Sequence, residues 1–151
     1  MNTRIVTDPA DMPLAAIHRF LSEEAYWCRG IPLATVERAL AHSLCFCALD
    51  GDALAGFARV ISDRATYAYL CDVFVLPAYR GRGLSKTLLR TIRAHPDLQG
   101  LRRWMLMTAD AHTLYAQFGF APLKDPSRAM EAHVANVYGF AAHTSDHPSI
   151  A

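Results

Sequence analysis

The sequence predicts a mixed α/β domain with a largely antiparallel sheet and about four helices packed on it. Three observations carry that expectation. Two alternating apolar runs, "SLCFCAL" and "ALAGFARVI", flank Asp50-Gly51-Asp52, which is a hairpin signal. The stretch "TYAYLCDVFVLP" (66–77) is apolar on both alternating sets, as a central strand covered on both faces would be. The stretch "VLPAYRGRGLSKTLL" (75–89) passes from that strand through a basic glycine turn into a leucine-rich helical pattern.

The remaining elements follow in chain order. "TRIV" (3–6) reads as an edge strand. "LAAIHRFLSEEAYW" (14–27) sets Leu14, Ile17, Phe20 and Leu21 at helical spacing. "IPLATVERALAHS" (31–43) has Pro32 near a helix start, with Val36, Ala39 and Leu40 on one stripe. After the hairpin and the central strand, the helix opened by the glycine turn ends near "HPD" (95–97). "RRWMLMT" (102–108) reads as a strand, "DAHTLYAQFGF" (110–120) as a short helix stopped at Gly119, and "RAMEAHV" (128–134) as a last strand. The order is β, α, α, β, β, β, α, β, α, β, so the sheet is expected to be antiparallel first and parallel after a later crossover. Residues 1–140 form one domain in this reading, and 141–151 form a loose polar tail.

Bulk properties narrow the function classes. A chain of 151 residues with 52 % hydrophobic residues can build one real core. No apolar run approaches the roughly 18 residues that span a bilayer, and the N-terminus lacks a signal-peptide core, so a cytoplasmic protein is expected. A formal net charge of +1 gives no global field for nucleic acid or membrane, and neither is expected as a partner. Cys28, Cys45, Cys47 and Cys71 follow no CxxC pattern and read as reduced, mostly buried thiols. Cys45 and Cys47 alternate on a strand and share a face. His143 and His147 have metal-like spacing but fall in the tail, and no metal is expected.

The glycine turn suggests a bound phosphate. A helix beginning near Gly83 leaves backbone N–H groups without intrahelical acceptors, and these together with the helix dipole favour an anion. Arg82, Lys86, Arg90 and Arg93 form a basic helical stripe, opposite the apolar side made by Leu84, Leu88, Leu89 and Ile92. That stripe would suit a phosphate or simply a solvated face. A Walker loop fails, because its two glycines would fall on Arg80 and Ser85. A dinucleotide fingerprint fails at its third glycine, where Lys86 stands. The pattern [RQ]xxGx[GA] after Val-x-Pro fits Arg80 and Gly83, with Ser85 as the last small residue.

On "DVFVLPAYRGRGLSKTLL" and "LYAQFGF", with a strand between them, the chain resembles the GNAT family of acyl-CoA-dependent N-acyltransferases, over about residues 3–134. The resemblance implies a sheet splayed between its fourth and fifth main strands, with acetyl-CoA as cosubstrate. It implies that the amides from Gly81 through Arg82, Gly83, Leu84 and Ser85 to Lys86 grip a pyrophosphate, with Arg80 assisting. It also implies that the backbone of Val73, Phe74 and Val75 holds the pantetheine arm and the thioester carbonyl, where a fixed donor stabilises developing negative charge. Many members carry asparagine seven residues before the tyrosine; Thr108 stands there instead and can still bond a pantetheine amide.

By the same resemblance Tyr115 protonates the departing thiolate. Asp72, an acid inside an apolar strand, is either the base that receives the amine's proton or one half of a buried ion pair. Glu23, Glu24 and His112 are further candidates for the base. The segment joining the first two helices supplies the acceptor end, with Glu24, Tyr26 and Trp27. The reaction expected is acetyl transfer to a primary amine, small or peptidic, by direct attack. A sensor or partner module that binds acyl-CoA without catalysis is the alternative. A homodimer is common among such folds.

Overall fold

β2 (Leu44–Asp50) and β3 (Ala53–Ser62) form the expected hairpin, closed at residues 51–52. Outside them lie the edge strand β1 (Thr3–Val6) and the long strand β4 (Tyr67–Val75), both antiparallel to their neighbours. β5 (Arg103–Leu106) joins β4 in parallel, so the sheet runs β1-β2-β3-β4-β5. The computed structural model describes residues 2–139.

Four helices cover the sheet. α1 (Leu14–Glu23) and α2 (Leu33–Ala41) pack on one face through Ile17, Phe20, Leu21, Val36 and Leu40. α3 (Leu84–Arg93) and α4 (His112–Ala116) pack on the other, with Leu84, Leu88, Leu89, Ile92 and Tyr115 buried. Burying a side chain such as Leu88 or Phe20 fully contributes roughly 1.5–3 kcal/mol, so each face anchors its helices independently. Phe20 stacks on Phe74 with ring centroids 3.9 Å apart and planes 15° from parallel, tying α1 to the middle of the sheet.

Where β4 faces β3, the pairing slips. Phe57 pairs with Phe74, but Arg59 pairs with Cys71, so two steps on β3 match three on β4. The extra residue makes a bulge, and Asp72 sits there with φ 52°, a left-handed conformation that aspartate tolerates better than most residues. The bulge reverses the parity of the strand. Ala68 and Leu70 face the α3 side, and so do Val73 and Val75, while Phe74 faces the α1 side. Without the slip Asp72 would share a face with Leu70.

Several expected elements are shorter. The first helix stops at Glu23 rather than continuing through Trp27: Glu24 and Ala25 both donate to the Phe20 carbonyl, and Gly30 N–H returns to Ser22. The second spans Leu33–Ala41 rather than 31–43, and the last spans His112–Ala116 rather than 110–120. Residues 128–134 are not a strand; among the described residues the sheet has five strands, and that segment runs exposed beyond a short turn at Pro126–Arg128. The expected tail, with His143 and His147, lies outside the described residues.

Candidate active site

β4 and β5 stay paired only from Tyr67↔Arg103 to Leu70↔Leu106. Beyond that point β4 continues through the bulge to Val75 with no strand on its β5 side. Backbone groups from Cys71 to Val75 therefore edge a cleft instead of a ladder, and unpaired strand groups are a template for an extended ligand. One of them is satisfied internally: Arg80 Nε donates to the Val75 carbonyl at 2.8 Å. Arg80 thus pins the glycine turn to the end of the strand.

The turn itself depends on glycine. Gly83, the residue capping α3, has φ 77°, and a Cβ there would meet no atom within 4 Å. The demand is conformational, not steric. Thr87 N–H makes the first helical bond, to the Gly83 carbonyl at 3.1 Å. The amides of Leu84, Ser85 and Lys86 are therefore left at the helix start without intrahelical acceptors. Lys86 and Arg82 are exposed beside them. Arg93 is not part of a phosphate-facing stripe. Its guanidinium lies 4.7 Å from the Trp104 ring centroid and 5.8 Å from that of Phe120. Gly56 in β3 carries a different constraint, because a Cβ there would come within 3.1 Å of the Phe74 carbonyl oxygen and 3.3 Å of Leu88. The absence of a side chain lets α3 settle close to the strands behind the cleft.

A cavity of about 640 Å³ opens at the same place. Tyr115 and Val73 line it from the α3 side of the sheet, Asp72, Arg59 and Cys71 from the α1 side. Tyr115 is 7 % exposed, and burial pushes its phenol above the ordinary tyrosine range, with Tyr26 and Asp110 adding to the rise. Tyr26 reaches across from the α1–α2 connection, where its hydroxyl accepts from Ala109 N–H at 3.2 Å. Thr108 Oγ1 accepts from Ala111 N–H at 3.0 Å and so braces the entry to α4; its hydroxyl proton remains available to a ligand.

Asp72 is held from two sides. Trp27 Nε1 donates to Oδ1 and Arg59 Nε donates to Oδ2, both at 2.8 Å. Arg59 also reaches Ser43 Oγ at 3.1 Å. Burial alone would lower the guanidinium's pKa, but Asp72 and Cys71 more than offset it, and the net shift is upward. Trp27 and Tyr26 line the cavity, whereas Glu24 and Glu23 are exposed and His112 opens α4 on the surface.

The four thiols are free, and burial pushes each upward: Cys45 to about 11, and Cys28, Cys47 and Cys71 to about 12. None is set up as a thiolate nucleophile near neutral pH.

Several cavity residues were not singled out in the sequence: Arg59, Asp110, Glu131, His133 and Tyr138. Arg59 had a signal, being the one charged residue in the apolar run "ALAGFARVI". Glu131 and His133 had none, because the stretch carrying them reads as a strand.

The chain matches the Acetyltransferase (GNAT) family over residues 11–120. It is 51 % identical to a GNAT-family acetyltransferase from Xanthomonas campestris pv. campestris of known structure. The two superpose with a TM-score of 0.90, covering 93 % of this chain and 99 % of that one. It is 31 % identical over 135 residues to a protein named as an acetyltransferase in Gibberella zeae, covering 75 % of each. A GNAT-family protein of Streptococcus pneumoniae, 21 % identical, shares the fold with a TM-score of 0.68 over 90 % of this chain and 99 % of that one. No helix among the described residues is long and apolar enough to cross a membrane.

Proposed function

Because this chain belongs to the acetyltransferase (GNAT) family, we propose that it moves an acetyl group from acetyl-CoA to a primary amine by direct attack in a ternary complex. One observation carries the reading: β4 leaves β5 after Leu70, and the cleft so opened runs between the glycine turn and Tyr115. Acetyl-CoA supplies the acyl group as an activated thioester. The rest is the work of this chain.

The residues present fit that cosubstrate. The amides at the start of α3, from Gly81 to Lys86, offer donors to a diphosphate, and Arg82 and Lys86 add positive charge. Arg80 contributes by holding the turn in place. The open edge of Val73, Phe74 and Val75 supplies main-chain groups for an extended amide-bearing arm, with Thr108 as a further donor. A β4 N–H at this edge stabilises negative charge on a thioester oxygen.

Tyr115, kept protonated by burial, hands its proton to a sulfur whose basicity rises in the same dehydrated surroundings. Asp72, with both oxygens engaged by Trp27 and Arg59, orients the acceptor wall. His133, on the cavity lining, receives the amine's proton. The buried, protonated thiols favour direct attack over an acyl-cysteine route. The reading includes a cytoplasmic location, where such thiols stay reduced.

The test is thiol release when the protein, acetyl-CoA and a panel of amines are mixed. Release with at least one amine is expected, and His133→Gln should change the acid limb of the pH–rate profile. Tight acetyl-CoA binding with no release for any amine would overturn the catalytic reading in favour of a binding module.

A further inference from the structure

The cavity beside Tyr115 has an uneven charge. Four charged side chains line it. Arg59 and Asp72 satisfy one another at 2.8 Å. Asp110 and Glu131 have no cationic partner among the described residues. His133 lines the same space, and as the proton acceptor assigned above it starts neutral. Two carboxylates therefore face a pocket that is also walled by aromatic rings, among them Trp27 and Tyr138.

An ordinary monoamine cannot balance them. Its nitrogen must be neutral when it attacks, so during the reaction it offers no positive charge. Both carboxylates would then stay unpaired in a partly dehydrated cavity, which is unfavourable. A second cationic group, remote from the reacting nitrogen, removes that cost. Aromatic faces favour the same kind of ligand, because ring quadrupoles attract ammonium and guanidinium groups, and the rings also cover a methylene chain.

Resting on the acetyl-transfer reading above, we propose that the acceptor is a diamine or polyamine, with one amine acetylated and another cation balanced by Asp110 and Glu131. The two carboxylates set the charge of the cavity already described; they are not a separate site. Asp110 has a second consequence. After burial and Tyr26, it adds to the upward shift of Tyr115, so a cation bound beside it would ease proton donation once the acceptor is in place.

The experiment compares butylamine with 1,4-diaminobutane and a triamine, by thiol release and by calorimetry with the amine alone. The expected result is a kcat/KM at least tenfold higher for the diamine than for the matched monoamine. Asp110→Asn and Glu131→Gln should each erase several-fold of that advantage by raising the diamine's KM, and high salt should do the same. Equal use of butylamine and diamine, or variants that keep the preference, would overturn the proposal while leaving acetyl transfer intact. If no amine releases thiol, the acetyl-transfer reading fails, and calorimetry still decides this one. Diamine binding weakened by Glu131→Gln supports a cation site, and absence of diamine binding overturns it.

Discussion

The indole nitrogen of Trp27 donates to Asp72 Oδ1 across 2.8 Å, joining the connection between α1 and α2 to the bulge of β4. The residue that breaks the sheet ladder and the ring that walls the cavity are thus one unit, with Arg59 as its counter-charge. Removing one partner should reveal which part each plays. Trp27→Phe keeps the ring and loses the donor. It should cost about 1 kcal/mol of stability and raise the acceptor's KM more than it lowers kcat. Asp72→Asn leaves a guanidinium that is 15 % exposed without its charge partner. That should cost about 3–5 kcal/mol, read as a fall in the urea midpoint. The double variant Asp72→Asn with Arg59→Met should recover much of the loss. A midpoint unchanged by Asp72→Asn would show that the pair contributes nothing.

Tyr115→Phe removes a buried hydroxyl at the meeting of the cleft and the cavity. Acetyl-CoA affinity measured by calorimetry should change little, while kcat should fall by about 10²–10⁴. Undiminished turnover across the pH range would remove Tyr115 as the acid.

Gly83→Ala tests the turn. The added methyl meets nothing, so the penalty is the left-handed backbone alone, about 1–2 kcal/mol. The same substitution should weaken acetyl-CoA binding at least tenfold, because relief of the strain rotates the amides that follow. Loss of stability with unaltered affinity would show that the turn is structural only.

The thiols give a pH dependence whose sign is fixed. Each is held protonated in the fold, at about 11 for Cys45 and about 12 for Cys28, Cys47 and Cys71, from an ordinary value of 9.0. Above pH 9 the unfolded chain loses these protons while the folded one keeps them, so unfolding becomes easier as pH rises. Stability from this source is complete below pH 9 and is lost progressively between 9 and 12. The urea midpoint should drop between pH 8 and pH 10.5, and a Cys47→Ala variant should drop less. Iodoacetamide at pH 8 should label the native protein slowly and all four thiols in denaturant.

Much of the fold was legible because it rests on local chemistry. The hairpin at Asp50-Gly51, the apolar stripe of α3 and the glycine turn each declare themselves within a dozen residues. The parity change in β4 did not. Alternation alone cannot register an inserted residue when both faces are apolar, and only an aspartate amid "YLCDVFV" hinted at it. Arg59 and Asp72 are 13 residues apart and meet through strand register, which depends on that bulge. The short end of α1 was equally hidden, since "EEAYW" keeps helical spacing while its amides turn back to Phe20 and Ser22. Glu131 and His133 reach the cavity from a segment without regular structure, where periodicity carries no information.

The surplus residue in β4 has one more implication. Excising Asp72 would bring Cys71 and Val73 together in the order the ladder needs: Phe57 opposite Phe74, Ala58 opposite Val73, Arg59 opposite Cys71. Every apolar side chain would keep its present face. Combined with Arg59→Met, the shortened chain should therefore fold, with a straighter sheet and no gape beside its parallel edge. Catalysis and architecture would come apart by a single codon, since this strand needs its odd amino acid only to stay open.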